Sequence, residues 1–178
     1  MRQLVSMTEP IFGLYTLFWS EYILVSRYFC QPNNMKKLKI AFLSASIIVF
    51  AISLFQDCFC TNDCINSFSV LITGIFGIIV GGANLCWLAN PLLLVSWIFF
   101  YFNTKVSFVF SLIASLISFM FIFSTEVAID EAGTPRQIEN LEFGYWLWLF
   151  SMLIILIGNS AKIYFEYSIG KKSANSSL

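Results

Sequence analysis

Charged side chains cluster along this chain, and the intervals between the clusters are long and apolar. Leu38 to Phe55 (LKIAFLSASIIVFAISLF) carries one charge, Lys39, near its start; Asn66 to Phe102, Val106 to Ser124 and Gly144 to Ala161 carry none. A bilayer core about 30 Å thick is crossed by around 20 mostly apolar helical residues. A charge at its centre costs ~2.5 kcal/mol or more, whereas a lysine near a helix end can extend its stem to the headgroups. The pattern predicts membrane-spanning helices.

Two stretches need a closer reading. Ile11 to Val25 (IFGLYTLFWSEYILV) is apolar but short, with Glu21 inside it and Arg27 beyond. Gly13, Thr16, Ser20 and Arg27 fall along one helical stripe. A narrow polar stripe on a helix containing Trp and Tyr predicts a helix lying in the interface, with a fifth crossing as the competing arrangement. Glu9 and Pro10 argue against a cleaved signal peptide. Asn66 to Phe102, as one straight helix, would run roughly 55 Å at ~1.5 Å per residue, which exceeds one crossing. A break is expected at Gly81-Gly82-Ala83-Asn84 or at Asn90-Pro91.

The basic residues choose the threading. With one net crossing through residues 66–102, Arg27, Lys36, Lys37, Lys39, Lys105, Lys162, Lys171 and Lys172 share the cytoplasmic side and Arg136 alone lies outside. Two crossings would divide the same residues nearly evenly. The expected fold is therefore an all-α polytopic transmembrane bundle with four spans, near 38–55, 86–102, 106–124 and 144–163. An interfacial helix and linker occupy 1–37, and a broken, re-entrant or interfacial outer piece lies near 67–84. The four-span domain covers 38–166, and 167–178 form a cytoplasmic tail. Loops 56–66 and 125–143 face outward and residues 103–105 make an inner turn. Trp146 and Trp148 are expected in the outer aromatic belt, Tyr164 and Tyr167 in the inner one.

Composition sharpens this picture. Of the 178 residues, 58% are hydrophobic and 11% charged, with a net charge of zero. A soluble domain carries about 25% charged residues, so the chain is expected to be neither a water-soluble enzyme nor a disordered segment nor a nucleic-acid binder. It has no histidine, no phosphate loop and no hydrolase motif, so no catalytic site and no cofactor are expected. Substrate-coupled carriers place acidic or basic groups inside the membrane; the polar residues here are mostly Ser, with Asn84, Asn90 and Asn159.

Cysteine is the sharpest chemical feature. Cys58, Cys60 and Cys64 (DCFCTNDC) crowd the first outer loop, where thiols oxidise. They are candidates for one structural disulfide, Cys58 or Cys60 with Cys64, leaving one thiol over. A metal site would need Asp57 or Asp63 beside the three sulfurs. Small residues form the second feature. Thr73, Gly77 and Gly81 fall on one stripe, and Ser107, Ser111 and Ser115 on another. Close helix approach is the expected use of both, either within one bundle or between copies, where the serine face would line a pore.

Four spans, both ends inside and cysteines in the first outer loop make a layout similar to that of the bacterial membrane protein that passes electrons from periplasmic thiols to quinone. That resemblance implies thiol–disulfide exchange through Cys58, Cys60 and Cys64. The spacing here is C-x-C followed by three residues and another Cys, however, and residues 125–143 have no second pair. The run Asn84-Leu85-Cys86-Trp87-Leu88-Ala89-Asn90-Pro91-Leu92 resembles a stretch found in small, functionally uncharacterised bacterial inner-membrane proteins. It implies a bacterial inner membrane and a span beginning near Pro91. The expected partners are the bilayer and either another membrane protein or a second copy. The expected role is non-enzymatic, an accessory or immunity-type protein; an oligomeric channel and a thiol oxidoreductase are the alternatives.

Overall fold

A computed structural model describes residues 32–128 and 134–175, with side chains from Lys36 to Ala128 and from Thr134 to Ser168. The interfacial helix expected over 11–25, Cys30, Asp130 and Glu131 lie outside the described residues.

Helix dominates. In chain order the elements are α1 (Pro32–Ser53), β1 (Asp57–Cys60), β2 (Cys64–Asn66), α2 (Ser67–Val80), a 3-10 helix (Gly82–Leu88), α3 (Ala89–Phe102) and α4 (Thr104–Met120). A 3-10 turn (Phe121–Phe123) follows, then β3 (Glu126–Ala128), β4 (Pro135–Gln137), β5 (Asn140–Leu141) and α5 (Phe143–Asn175). Among the described residues, three helical stretches are long and apolar enough to cross a membrane: Gly82–Phe102, Thr104–Phe123 and Phe143–Ser168. The segment expected as the first span forms α1, whose start carries Lys36, Lys37 and Lys39. Ile40–Ser53 then covers only roughly 21 Å free of charge at ~1.5 Å per residue. The helix expected to end near 163 continues to Asn175, so most of the expected tail is helical.

Residues 66–102 reverse at the glycines. Gly81 and Gly82 have φ of +81° and +62°, a region closed to most side chains. Asn90-Pro91 lies in the first turn of α3, where an amide has no intrahelical acceptor to lose. The 3-10 helix folds back along α2: the Trp87 indole Nε1 donates to the Leu71 carbonyl at 2.8 Å, and Gly77 faces Asn84. The outer piece is thus a helical hairpin. Between α3 and α4 the chain turns on Asn103 alone, whose side chain accepts from the amides of Lys105 and Val106 and caps α4.

The bundle buries small polar groups beside large apolar ones such as Leu93, Phe100, Met152 and Ile155, and turns many other large apolar side chains outward. Ser46, Ser96, Ser107, Ser111, Ser118, Ser151 and Asn159 are buried, while Ile48, Ile98, Leu116, Phe119 and Ile157 are among the exposed side chains. Ser46 Oγ donates to the Ser151 carbonyl at 2.7 Å and accepts from Trp97 Nε1 at 3.0 Å, joining α1, α3 and α5. Ser107 Oγ donates to the Ser96 carbonyl at 2.8 Å, so α3 and α4 meet nearly backbone to backbone. So many buried serines, with so much apolar surface exposed, depart from a water-solvated bundle and match helix association in lipid.

The expected outer loops are not wholly irregular. β1 pairs antiparallel with β2 on one side and β5 on the other, and β3 pairs with β4. The chain is therefore not purely α: both connections expected outside contribute to one small sheet over the end of the bundle.

Candidate functional site

The sheet is built from very short strands held by cross-loop bonds. Glu142 N–H donates to the Cys58 carbonyl and Glu139 N–H to the Cys60 carbonyl, each at 2.9 Å. The register of β1 shifts between Asp57 and Phe59. Such a bulge lets successive side chains turn the same way, and Cys58, Phe59 and Cys60 are all buried.

Cys60 and Cys64 are joined as a disulfide across the hairpin, which selects one of the two pairings left open by the sequence. Glu142 Oε1 lies 3.5 Å from Cys60 Sγ. The donor atoms of Cys60, Cys64 and Glu142 fall within 4.8 Å of one another, but sulfurs bonded to each other offer no thiolate to a metal. The carboxylate beside the sulfurs is thus Glu142, from the 125–143 connection, and not Asp57 or Asp63. Cys58 stays a free thiol. Burial pushes it up to about 12, against a smaller opposing effect of the neighbouring Ser67 hydroxyl. A thiol this firmly protonated is a poor nucleophile.

Beneath the sheet lies a cavity of about 780 Å³, walled by α2, the 3-10 helix, the end of α1, the Phe121 turn, β3 and the start of α5. Cys58, Trp87, Phe121, Tyr145 and Trp148 contribute to its lining. Trp148, expected in the aromatic belt, turns inward instead: its indole Nε1 donates to Asn90 Oδ1 at 2.7 Å. Trp146 keeps an exposed position, as do Tyr164 and Tyr167. Tyr145 is fully buried and donates to the Ser118 carbonyl at 2.8 Å.

The small-residue stripes are distributed differently from one another. Ser107, Ser111 and Ser115 are buried inside the chain's own bundle. Ser111 Oγ accepts from Asn159 Nδ2 at 3.1 Å, and Ser115 Oγ donates to the Ser111 carbonyl. That face is covered by α3 and α5 and lines no channel within the chain. Gly77 packs on Asn84, Gly81 terminates α2, and Thr73 is exposed with its hydroxyl on the Ser69 carbonyl. Gly74 makes the closest approach, leaving no room for a Cβ against the Trp87 indole.

The sequence carries no sign of Ser67, Tyr145 or the Asn90–Trp148 pairing, and marks Glu142 only as one acidic residue of the 125–143 loop. Their roles depend on contacts between distant segments; Asn90 and Trp148 are visible only as polar or amphipathic groups in apolar stretches. Comparison with known protein families, curated proteins and solved structures yields no match.

Proposed function

We propose that this chain is a four-span integral protein of a bacterial inner membrane, with both ends cytoplasmic, that acts without catalysis by binding a membrane partner at its outer end. The observation that carries the reading is the outer sheet: strands from both outer connections pair in it, and Cys60–Cys64 staples the β1–β2 hairpin of the first. They give that end a fixed shape suited to recognition, while the serine stripe is spent inside the bundle. The buried serines and the exposed Ile48, Ile98, Leu116, Phe119 and Ile157 support lipid as the solvent. For the fourth span, α1 packs lengthwise on α5, with Phe42 against Gly158, and its 22 residues reach roughly 33 Å. Its lysines then sit at the headgroups.

Single-cysteine reporters test the threading in intact cells. Arg136→Cys should react with a membrane-impermeant maleimide, and Lys105→Cys only after permeabilisation. Reaction of Lys105→Cys in intact cells would sink this arrangement. A photo-crosslinking residue at Gln137 should then capture one discrete membrane protein; crosslinks to lipid alone would remove the partner.

One feature favours thiol–disulfide exchange as a second reading: Cys64 of the disulfide is exposed. Under that reading a partner thiolate attacks Cys64 and releases the Cys60 thiolate, so the Cys60→Ser chain, which lacks the resolving sulfur, accumulates mixed disulfides through Cys64.

A further inference from the structure

We infer that the cavity under the outer sheet is a lateral pocket for one acyl chain of a bilayer phospholipid, entered from the hydrocarbon phase beside α2. This deepens the membrane reading above and rests on it. Size admits such an occupant, since about 780 Å³ lies within the roughly 300–1,000 Å³ of pockets that take drug-sized ligands. The mouth identifies the phase it opens to. Phe76, Ile79 and Val80 belong to the cavity wall and are 71%, 87% and 48% exposed, so α2 presents a hydrocarbon-wettable rim, not a water-facing one.

The interior makes little polar demand. Trp87 donates to Leu71, Tyr145 to Ser118, and Ser53 to the Phe50 carbonyl. Asn90 bridges Trp148 and the Trp87 carbonyl. With these groups paired and the rest of the wall, Asn84 apart, mostly apolar, the cavity accepts hydrocarbon. Ser67 is the buried exception. It lies at the sheet end of the cavity, 7% exposed, and its hydroxyl has no aligned hydrogen bond, although the Cys58 thiol is beside it. An orphaned buried hydroxyl is costly, and a lipid ester carbonyl at the head of an inserted chain would accept from it. A bare alkane would leave it unpaired.

The test uses the full chain in vesicles of phosphatidylethanolamine and phosphatidylglycerol, doped with phosphatidylcholine bearing a diazirine in the carbonyl-proximal half of one acyl chain. Irradiation and peptide mapping should place adducts on Trp87, Phe121 or Tyr145 in excess over the outward-facing Ile98 and Leu116. Ala83→Phe, which fills the cavity from its wall, should remove the excess and leave Ile98 labelling unchanged; Val70→Trp serves if that variant does not fold. Ser67→Ala should weaken cavity labelling about fivefold, the value of one hydrogen bond. Uniform labelling along all helices, or cavity adducts that survive both filling variants, would overturn the pocket while leaving the membrane reading intact. Crosslinks from the cavity wall to residues 11–25 of the same chain would overturn it as well. Loss of labelling at Ile98 and Leu116 would sink the membrane reading itself.

Discussion

Lys162 shows what one buried charge does here. Its Nζ donates to the Phe100 carbonyl at 3.0 Å and sits 5.6 Å from the Phe100 ring centroid. Phe100 is in the last turn of α3, where carbonyls lack helical partners and the dipole favours a cation. Lys162→Met should therefore cost about 1–3 kcal/mol, read as a lower melting temperature in detergent. The exposed Lys105→Met should stay within about 0.5 kcal/mol. Equal shifts for the two would refute the capping role. Cys58 gives a pH prediction at the same scale. Its thiol is raised from 9.0 to about 12 in the fold, so the folded state holds its proton more tightly than the unfolded state does. Stability from this group is full below pH 9 and is lost as pH rises toward 12. Alkylation of Cys58 near pH 8 should then follow unfolding, and fast modification of the folded protein would contradict its burial. Both residues are visible in the sequence, but nothing near them in the chain announces the Phe100 carbonyl or the Ser67 hydroxyl.

At the scale of elements, the α2 hairpin depends on two kinds of glycine. Gly74 provides clearance, because an added Cβ would overlap the Trp87 indole. Gly81 provides conformation, with φ +81° and nothing near its missing Cβ. Gly74→Ala should cost about 1–3 kcal/mol through overpacking and shift the tryptophan emission as Trp87 leaves Leu71. Gly81→Ala should cost about 1–2 kcal/mol through backbone strain alone and leave that emission in place. Matching spectral changes would merge the two mechanisms and refute the distinction. The GxxxG spacing of Gly77 and Gly81 was legible as a small-residue signal. Spacing alone does not tell a contact surface from a chain reversal, since both select for a missing side chain.

The molecule as a whole has its helices at one level and its stapled sheet at another. Removing the staple in the Cys60→Ser, Cys64→Ser chain closes off about 2 kcal/mol, because the loop it constrains is short. Thermal melting should fall modestly while far-ultraviolet helicity persists, since the α3–α4 and α1–α5 contacts lie away from the sheet. Collapse of helical signal in this variant would mean that the sheet organises the bundle and does not merely cap it.

The sequence by itself determined the helical class, the apolar intervals that became Gly82–Phe102, Thr104–Phe123 and Phe143–Ser168, and the need for a break within 66–102. Hydropathy and charge are summed locally, and lipid-sized helices are long enough for such sums to be decisive. Only the tertiary structure decided that Cys60 pairs with Cys64, that Trp148 serves Asn90 and not the interface, that the serines face their own bundle, and that a cavity lies beneath the sheet. Strands of two to four residues carry too few alternations to register as a period, and pairing partners such as Cys58 and Glu142 are brought together by the fold of intervening helices. Those contacts exist only when the spans are packed, so no window along the chain contains them.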